Sequence, residues 1–95
     1  MLENILYMQK RHTDTRRYFN EQVYTTATYV IPFIEKAKHV DASLKVFEIG
    51  CGEGGNLKPF LDLGCTCVGV DLSNGKIERG KEIFNGTPGI ELICK

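Results

Sequence analysis

At positions 46–55 the chain reads VFEIGCGEGG, the pattern of a short buried strand that runs directly into a glycine-rich turn. Glycines at a strand end permit a tight turn, and they let the backbone approach a ligand because no Cβ stands in the way. About 20 residues further on, Asp71 ends a second apolar run, Val68-Gly69-Val70. An acid at the end of the next strand is placed to accept hydrogen bonds from ribose hydroxyls. Together these features predict a ligand that carries adenosine.

Two glycine patterns fit this turn. Gly50, Gly52 and Gly55 match the G-x-G-x-x-G of dinucleotide-binding folds. Gly50, Gly52 and Gly54, preceded by Glu48, match the pattern E/D-x-G-x-G. In the dinucleotide pattern the position two before the first glycine lies within a buried parallel strand, so it is usually apolar. A carboxylate there is costly unless it is paired or reaches the ligand, and Glu48 therefore favours the second pattern.

The stretch from Val46 to Gly55 resembles the first motif of class I, Rossmann-like S-adenosylmethionine-dependent methyltransferases. The stretch from Val68 to Ser73 resembles the second-strand motif of the same family, commonly written G-x-D-x-S. The two motifs at this spacing are much more specific than a lone glycine triplet. The resemblance covers roughly residues 46–94 and, more loosely, the helices before them.

The resemblance implies S-adenosylmethionine as cofactor and assigns roles to individual residues. The glycine backbone would pass close to the methionine part, and Glu48 would order the loop or a water near the cofactor amino group. Asp71 would bind the ribose hydroxyls, and Leu72 matches the residue that packs on the adenine ring. The candidate cofactor-binding residues are Glu48, Gly50, Cys51, Gly52, Gly54, Asp71 and Leu72.

Each of these residues also has a structural interpretation. Glu48 could pair with a backbone N–H, and Asp71 could cap a helix beside Ser73. Leu72 reads equally well as a core residue. Cys51 either shapes the pocket or is partly exposed and reactive.

The resemblance implies that a nucleophile on the acceptor attacks the sulfonium methyl in line, while the protein holds the partners in place. No residue is a good candidate for a catalytic base, because His12 and His39 lie outside the motifs and are expected at the surface. The acceptor is unidentified, with a small molecule favoured. The alternatives are a segment of an NAD- or FAD-binding oxidoreductase and a non-catalytic module that binds an adenosine cofactor.

The hydrophobic pattern predicts an α/β fold with amino-terminal helices followed by β-α-β-α-β, one half of a doubly wound parallel sheet. We expect strands at 45–49, 66–70 and 90–94, and helices at about 56–63 and 73–84. Residues 1–44 form the helical segment, and residues 45–95 form the first half of the cofactor-binding domain.

The family domain usually continues with about four more strands, so the sequence is interpreted as an amino-terminal portion. Parallel strands are normally covered on both faces, and an open sheet edge is a template for another chain. We therefore expect the isolated chain to be marginally stable, prone to self-association and unable to transfer methyl groups.

An apolar stripe at helical spacing precedes the first strand, and it predicts a helix that packs on the core. Pro32 interrupts it, which predicts a kink or two abutting helices near Ile31. Tyr18, Tyr24 and Tyr29 lie close to the stripe, as core residues or as a lid over the cofactor. The stripe consists of Phe19, Val23, Ala27, Val30, Ile34 and Ala37.

Composition excludes several classes of protein. Among 95 residues, 42% are hydrophobic and 25% charged, and 12 basic residues balance 12 acidic ones, so nothing in the overall charge favours nucleic acid or an anionic membrane. No apolar run reaches the roughly 20 residues of a membrane helix, and no secretory signal opens the chain, so we expect a cytoplasmic protein. A basic cluster is expected to be a solvated helix face rather than an RNA site; it consists of Lys10, Arg11, His12, Arg16 and Arg17.

Four cysteines occur without a C-x-x-C pair, so no metal site is expected. Cys65, Cys67 and Cys94 are predicted to be small buried hydrophobic residues in a reducing compartment.

Overall fold

Three parallel strands with helices between them form the centre of the protein, as the sequence predicts. The structure is a computed structural model, and it describes residues 15–95. Lys10, Arg11 and His12 of the basic cluster lie outside this range. In chain order the elements are α1 (Thr15–Thr25), a π-helical turn (Thr26–Val30), α2 (Ile31–Glu35), β1 (Lys45–Ile49), α3 (Lys58–Asp62), β2 (Thr66–Asp71), α4 (Asn74–Ile83) and β3 (Ile90–Cys94).

The sheet has the order β1-β2-β3, with both pairs of strands parallel. Its register places Glu48 opposite Gly69, and Gly69 opposite Leu92. Side chains alternate between the two faces of a strand, so these three residues share one face. The carboxyl ends of all three strands meet at one edge, which brings the loop after β1 next to Asp71 at the end of β2.

Helices cover one face of the sheet. Both βαβ crossovers run in the same direction across the sheet, so α3 and α4 pack on the same side. Leu57 and Ile77 are fully buried there, in the same core cluster as Cys67. On the opposite face Phe47 is 62% exposed and Ile49 is 81% exposed. The description of β1 as a buried strand therefore holds for one of its two faces, and the other has no helix over it within residues 15–95, as expected for half of a doubly wound sheet.

The amino-terminal helix departs from regular α-helical spacing at its middle. The Ile31 N–H donates to the carbonyl of Thr26, five residues back, and forms a π turn. Thr26 and Ile31 consequently share the buried face, and Pro32 occupies the first turn of α2, where its missing N–H is tolerated. A kink or two abutting helices were predicted near Ile31; the irregularity lies there, as a π turn that joins α1 to α2. The predicted stripe is correct for Phe19, Val23 and Ile34 and wrong for Ala27, Val30 and Ala37, which are exposed.

The predicted helix boundaries are largely confirmed. Ser73 caps α4, because its Oγ accepts a hydrogen bond of 3.3 Å from the Lys76 N–H. Gly64 follows α3 with a φ of 91°, a conformation that favours glycine at a helix end. The α3 helix is shorter than predicted, since the Leu57 and Lys58 N–H groups still bond to Gly54 within the preceding turn.

Of the three cysteines predicted to be buried hydrophobic residues, two lie in the core. Cys65 and Cys67 are buried, whereas Cys94 is exposed, so the prediction for Cys94 is wrong. Cys94 pairs in register with Asp71 at the carboxyl edge of the sheet, beyond the cover of the helices. Within residues 15–95 no cluster of His, Cys, Asp and Glu could hold a metal ion. In the same range no helix is long and apolar enough to cross a membrane.

Candidate cofactor-binding site

The loop after β1 is fixed to the sheet edge by its own backbone. The N–H groups of Gly50 and Cys51 both donate to the Val70 carbonyl, at 2.8 and 3.0 Å. Gly50, Gly52 and Gly54 then adopt φ values of 74°, 57° and 91°, which disfavour any side chain. A Cβ at Gly50 would have no atom within 4 Å, so the backbone there faces open space. The loop can therefore bring main-chain atoms against a ligand.

Gly55 serves a different purpose from the three glycines before it. A Cβ at this position would lie 2.6 Å from Gln22 Oε1 and 2.9 Å from the Phe19 carbonyl oxygen. Its missing side chain is thus required by the close approach of α1.

Asp71 ties the glycine loop to the start of α4. Its Oδ2 accepts a hydrogen bond of 2.8 Å from the Gly52 N–H, and its Oδ1 accepts one of 2.8 Å from the Ser73 N–H. These two bonds lower the pKa of Asp71, the bond from Ser73 more than the bond from Gly52, so the carboxylate is ionised at neutral pH. Each oxygen keeps a further lone pair for a ligand hydroxyl. The cap of α4 is Ser73 itself, and Asp71 forms the turn ahead of it.

Glu48 projects from β1 onto the same covered face and has one oxygen without a partner. Its Oε2 accepts a hydrogen bond of 3.1 Å from Asn56 Nδ2. Its Oε1 is buried, and no group within residues 15–95 bonds to it. Burial raises the pKa of Glu48, and the charge of Asp71 adds to this effect, while the Asn56 bond opposes it. The carboxylate pairs with a side-chain amide rather than with a backbone N–H, the structural alternative considered above.

Two residues that the sequence did not single out complete this arrangement. Thr26 Oγ1 donates a hydrogen bond of 2.9 Å to Asn56 Oδ1, so the π turn is joined to Glu48 through one amide. Thr26 is only 3% exposed. A threonine beside the apolar stripe was the available signal, but regular α-helical spacing did not require it to face inward.

Cys51 and Leu72 differ from their expected environments. Cys51 is 1% exposed, and burial, followed by the charges of Glu48 and Asp71, raises its pKa to about 11. Of the two interpretations of Cys51, the partly exposed, reactive thiol is therefore wrong, because the side chain packs inward against Gly69 beneath the loop. Leu72 is 88% exposed, so its interpretation as a core residue is wrong. Its contact with an adenine ring stays a prediction.

The amino-terminal helix carries exposed aromatic residues. Tyr24 and Tyr29 are both exposed and meet edge to face, with ring centroids 6.4 Å apart, so the core interpretation is wrong for them. Their role as a lid stays a prediction. His39 is exposed, with its Nδ1 3.2 Å from Glu35 Oε2, as expected for a surface histidine.

A half-sheet with a glycine loop at its carboxyl edge and an acid after the second strand defines the class of Rossmann-like cofactor-binding domains. A family model described as "Methyltransferase domain" matches residues 47–95. The chain belongs to this methyltransferase domain family.

Solved methyltransferase structures share the fold. The plantazolicin methyltransferase BpumL, in complex with a monoazolic desmethylPZN analog and SAH, matches 92% of the chain with a TM-score of 0.62 and 21% identity. PKMT2 from Rickettsia typhi, in complex with AdoHcy, matches 74% with a TM-score of 0.60 and 30% identity. The glycopeptide N-methyltransferase MtfA, complexed with S-adenosyl-L-methionine, matches 73% with a TM-score of 0.59 and 22% identity. These matches confirm the predicted Rossmann-like architecture.

The chain spans 34% of the BpumL structure, 15% of PKMT2 and 32% of MtfA. No curated protein matches it.

Proposed function

We propose that this chain provides the cofactor-binding portion of an S-adenosylmethionine-dependent methyltransferase. The observation that carries the proposal is the carboxyl edge of the sheet, where the glycine loop, the unpartnered oxygen of Glu48 and the ionised Asp71 lie together. Solved relatives that hold SAH, AdoHcy or S-adenosyl-L-methionine support the choice of cofactor.

Each group at this edge suits one part of S-adenosylmethionine. The open backbone at Gly50 leaves room for the methionine chain, and Glu48 offers a carboxylate oxygen to its ammonium group. Asp71 accepts hydrogen bonds from the ribose hydroxyls with the lone pairs that Gly52 and Ser73 leave free. Leu72 offers an exposed apolar surface to the adenine ring.

The reaction we propose is transfer of the sulfonium methyl to a nucleophile on the acceptor. Bound S-adenosylmethionine supplies the activated methyl group, and the residues described here hold it in a fixed orientation. A small-molecule acceptor is favoured, and the neutral overall charge agrees with this choice. We place the protein in the cytoplasm because its four cysteines are free thiols.

Calorimetric titration of the full-length protein tests this proposal. S-adenosylhomocysteine should bind, and NAD should bind much more weakly, because Glu48 suits an ammonium group and repels a pyrophosphate. Tight NAD binding without a response to S-adenosylhomocysteine would instead favour an oxidoreductase segment. Binding of S-adenosylhomocysteine without methyl transfer to any acceptor would favour a non-catalytic cofactor module.

A further inference from the structure

A hydrogen-bonded series of side chains joins the amino-terminal helix to the cofactor edge. Thr26 Oγ1 donates to Asn56 Oδ1 at 2.9 Å, and Asn56 Nδ2 donates to Glu48 Oε2 at 3.1 Å. The amide of Asn56 is thereby fixed in one orientation, because its oxygen faces a donor and its nitrogen faces an acceptor. Glu48 Oε1 is the buried acceptor at which the series ends.

We propose that Asn56 is a positioning residue that holds Glu48 for the ammonium group of S-adenosylmethionine, and that Thr26 couples this contact to the amino-terminal helix. The proposal rests on the function proposed above and adds two residues to it. It predicts that Asn56 and Thr26 act on the amino-acid half of the cofactor and leave the adenosine half unaffected.

The geometry supports a cationic ligand group at Glu48. A buried carboxylate oxygen without a donor is unfavourable in the absence of ligand, and an ammonium group supplies both a hydrogen bond and a compensating charge. Asn56 occupies only Oε2, so the buried Oε1 keeps its full capacity to accept hydrogen bonds. Thr26 bonds to the far side of the amide, which keeps Asn56 from turning its oxygen toward the carboxylate.

The coupling has a signature in the pH dependence of binding. The Asn56 bond opposes the rise that burial imposes on the pKa of Glu48, so its removal raises that pKa further. Protonated Glu48 no longer attracts an ammonium group, and affinity should therefore be lost at a higher pH in the variant. Among residues 15–95, the charge of Glu48 interacts with Asp71, which is ionised at neutral pH, and with the Cys51 thiol, which stays neutral with a pKa of about 11.

The test compares two ligands by calorimetry on the full-length protein. S-adenosylhomocysteine carries the amino-acid group, whereas 5′-methylthioadenosine keeps the adenosine and the thioether and lacks it. Asn56→Leu should weaken the binding of S-adenosylhomocysteine about ten-fold at neutral pH. As the pH is lowered, the variant should lose this affinity at a higher pH than the unaltered protein. The affinity for 5′-methylthioadenosine should change by less than about two-fold.

Matched variants separate this role from a loss of folding. Asn85→Leu makes the same change at an exposed site and should leave both affinities unchanged. Thr26→Val removes the hydroxyl with little change in shape and should weaken the binding of S-adenosylhomocysteine about three-fold. Thr26→Ser keeps the hydroxyl and should bind this ligand as the unaltered protein does. This pair provides the test even if Asn56→Leu fails to fold.

Equal weakening of both ligands by Asn56→Leu or Thr26→Val would overturn the inference and leave the proposed function standing. No binding of S-adenosylhomocysteine by the unaltered protein would overturn the proposed function and the inference with it.

Discussion

At the scale of single residues, the site contains two carboxylates, and the protein stabilises the ionised form of one and destabilises that of the other. Asp71 is stabilised in its ionised form by two backbone N–H groups, whereas Glu48 is destabilised in that form by burial. Both acids were identified from the sequence, because their positions relative to the glycines are diagnostic. Their environments were not predictable, since the Asn56 amide and the Gly52 N–H reach them only in the folded chain.

The burial of Glu48 predicts opposite effects of Glu48→Gln on stability and on binding. The raised pKa means that the ionised carboxylate destabilises the fold above its unfolded-state pKa, near the ordinary value of 4.5. Glu48→Gln should therefore raise the melting temperature at pH 7 and weaken S-adenosylhomocysteine. The stability difference should shrink as the pH falls through the raised pKa of Glu48. A variant that is less stable at pH 7 and binds normally would contradict this account.

Replacing Asp71 should weaken cofactor binding more than it lowers the free energy of unfolding. If the carboxylate accepts bonds from both ribose hydroxyls, Asp71→Ala should weaken cofactor binding by about 1.5 to 3 kcal/mol, the scale of hydrogen bonds to a charged group. The free energy of unfolding should change less, because the N–H groups of Gly52 and Ser73 lie at a partly exposed edge and can bond to water. An unchanged affinity with a lowered melting temperature would make Asp71 a purely structural residue.

At the scale of elements, the sequence predicted what depends on local pattern. The β1 and β3 boundaries follow from apolar runs, and the α4 cap follows from Ser73. The π turn was not predicted, because a step of five residues between Thr26 and Ile31 violates regular α-helical spacing. The bond between Thr26 and Asn56 was also missed, since it joins parts of the chain that only tertiary packing brings together.

The contact between the loop and β2 predicts a steric effect at Gly69. A Cβ there would lie 2.6 Å from Cys51 Sγ and 2.8 Å from Cys51 Cβ, so Gly69→Ala should destabilise the fold by about 1 to 3 kcal/mol in urea unfolding. Adding Cys51→Ala should recover part of this loss. Gly75→Ala, in α4 with more space around it, should be neutral or stabilising. Equal stability of the Gly69 and Gly75 variants would rule out this packing.

At the scale of the whole molecule, residues 15–95 place one layer of helices on one face of a small sheet. The division at residues 44 and 45 stays a prediction, and contacts cross it: Phe19 and Phe84 meet with ring centroids 6.0 Å apart. The exposed face was anticipated from the expectation that half a doubly wound sheet would be incompletely covered. The side chains on this exposed face are set by the register of the strands, which places Phe47 opposite Val68 and Ile49 opposite Val70.

The exposed sheet face predicts self-association of a polypeptide of these 95 residues. Phe47 and Ile49 present adjoining apolar surface to solvent, and both outer strands have an unpaired edge within residues 15–95. Sedimentation equilibrium should show dimers or larger species, and Ile49→Lys should shift them toward the monomer with little change in melting temperature. Thr66→Lys, on the same face but at a polar position, is the control. A stable monomer that unfolds cooperatively would contradict the prediction.

A crystal structure of the full-length protein with S-adenosylhomocysteine would test directly whether the cofactor binds at the carboxyl edge of the sheet. We expect the ribose hydroxyls to lie within hydrogen-bonding distance of Asp71 and the adenine ring to pack against Leu72. The ammonium group should lie within about 3 Å of Glu48 Oε1, with the Asn56 bond retained. A ligand bound away from the carboxyl edge of the sheet, or bound there without contact to Asp71 and Glu48, would contradict this expectation.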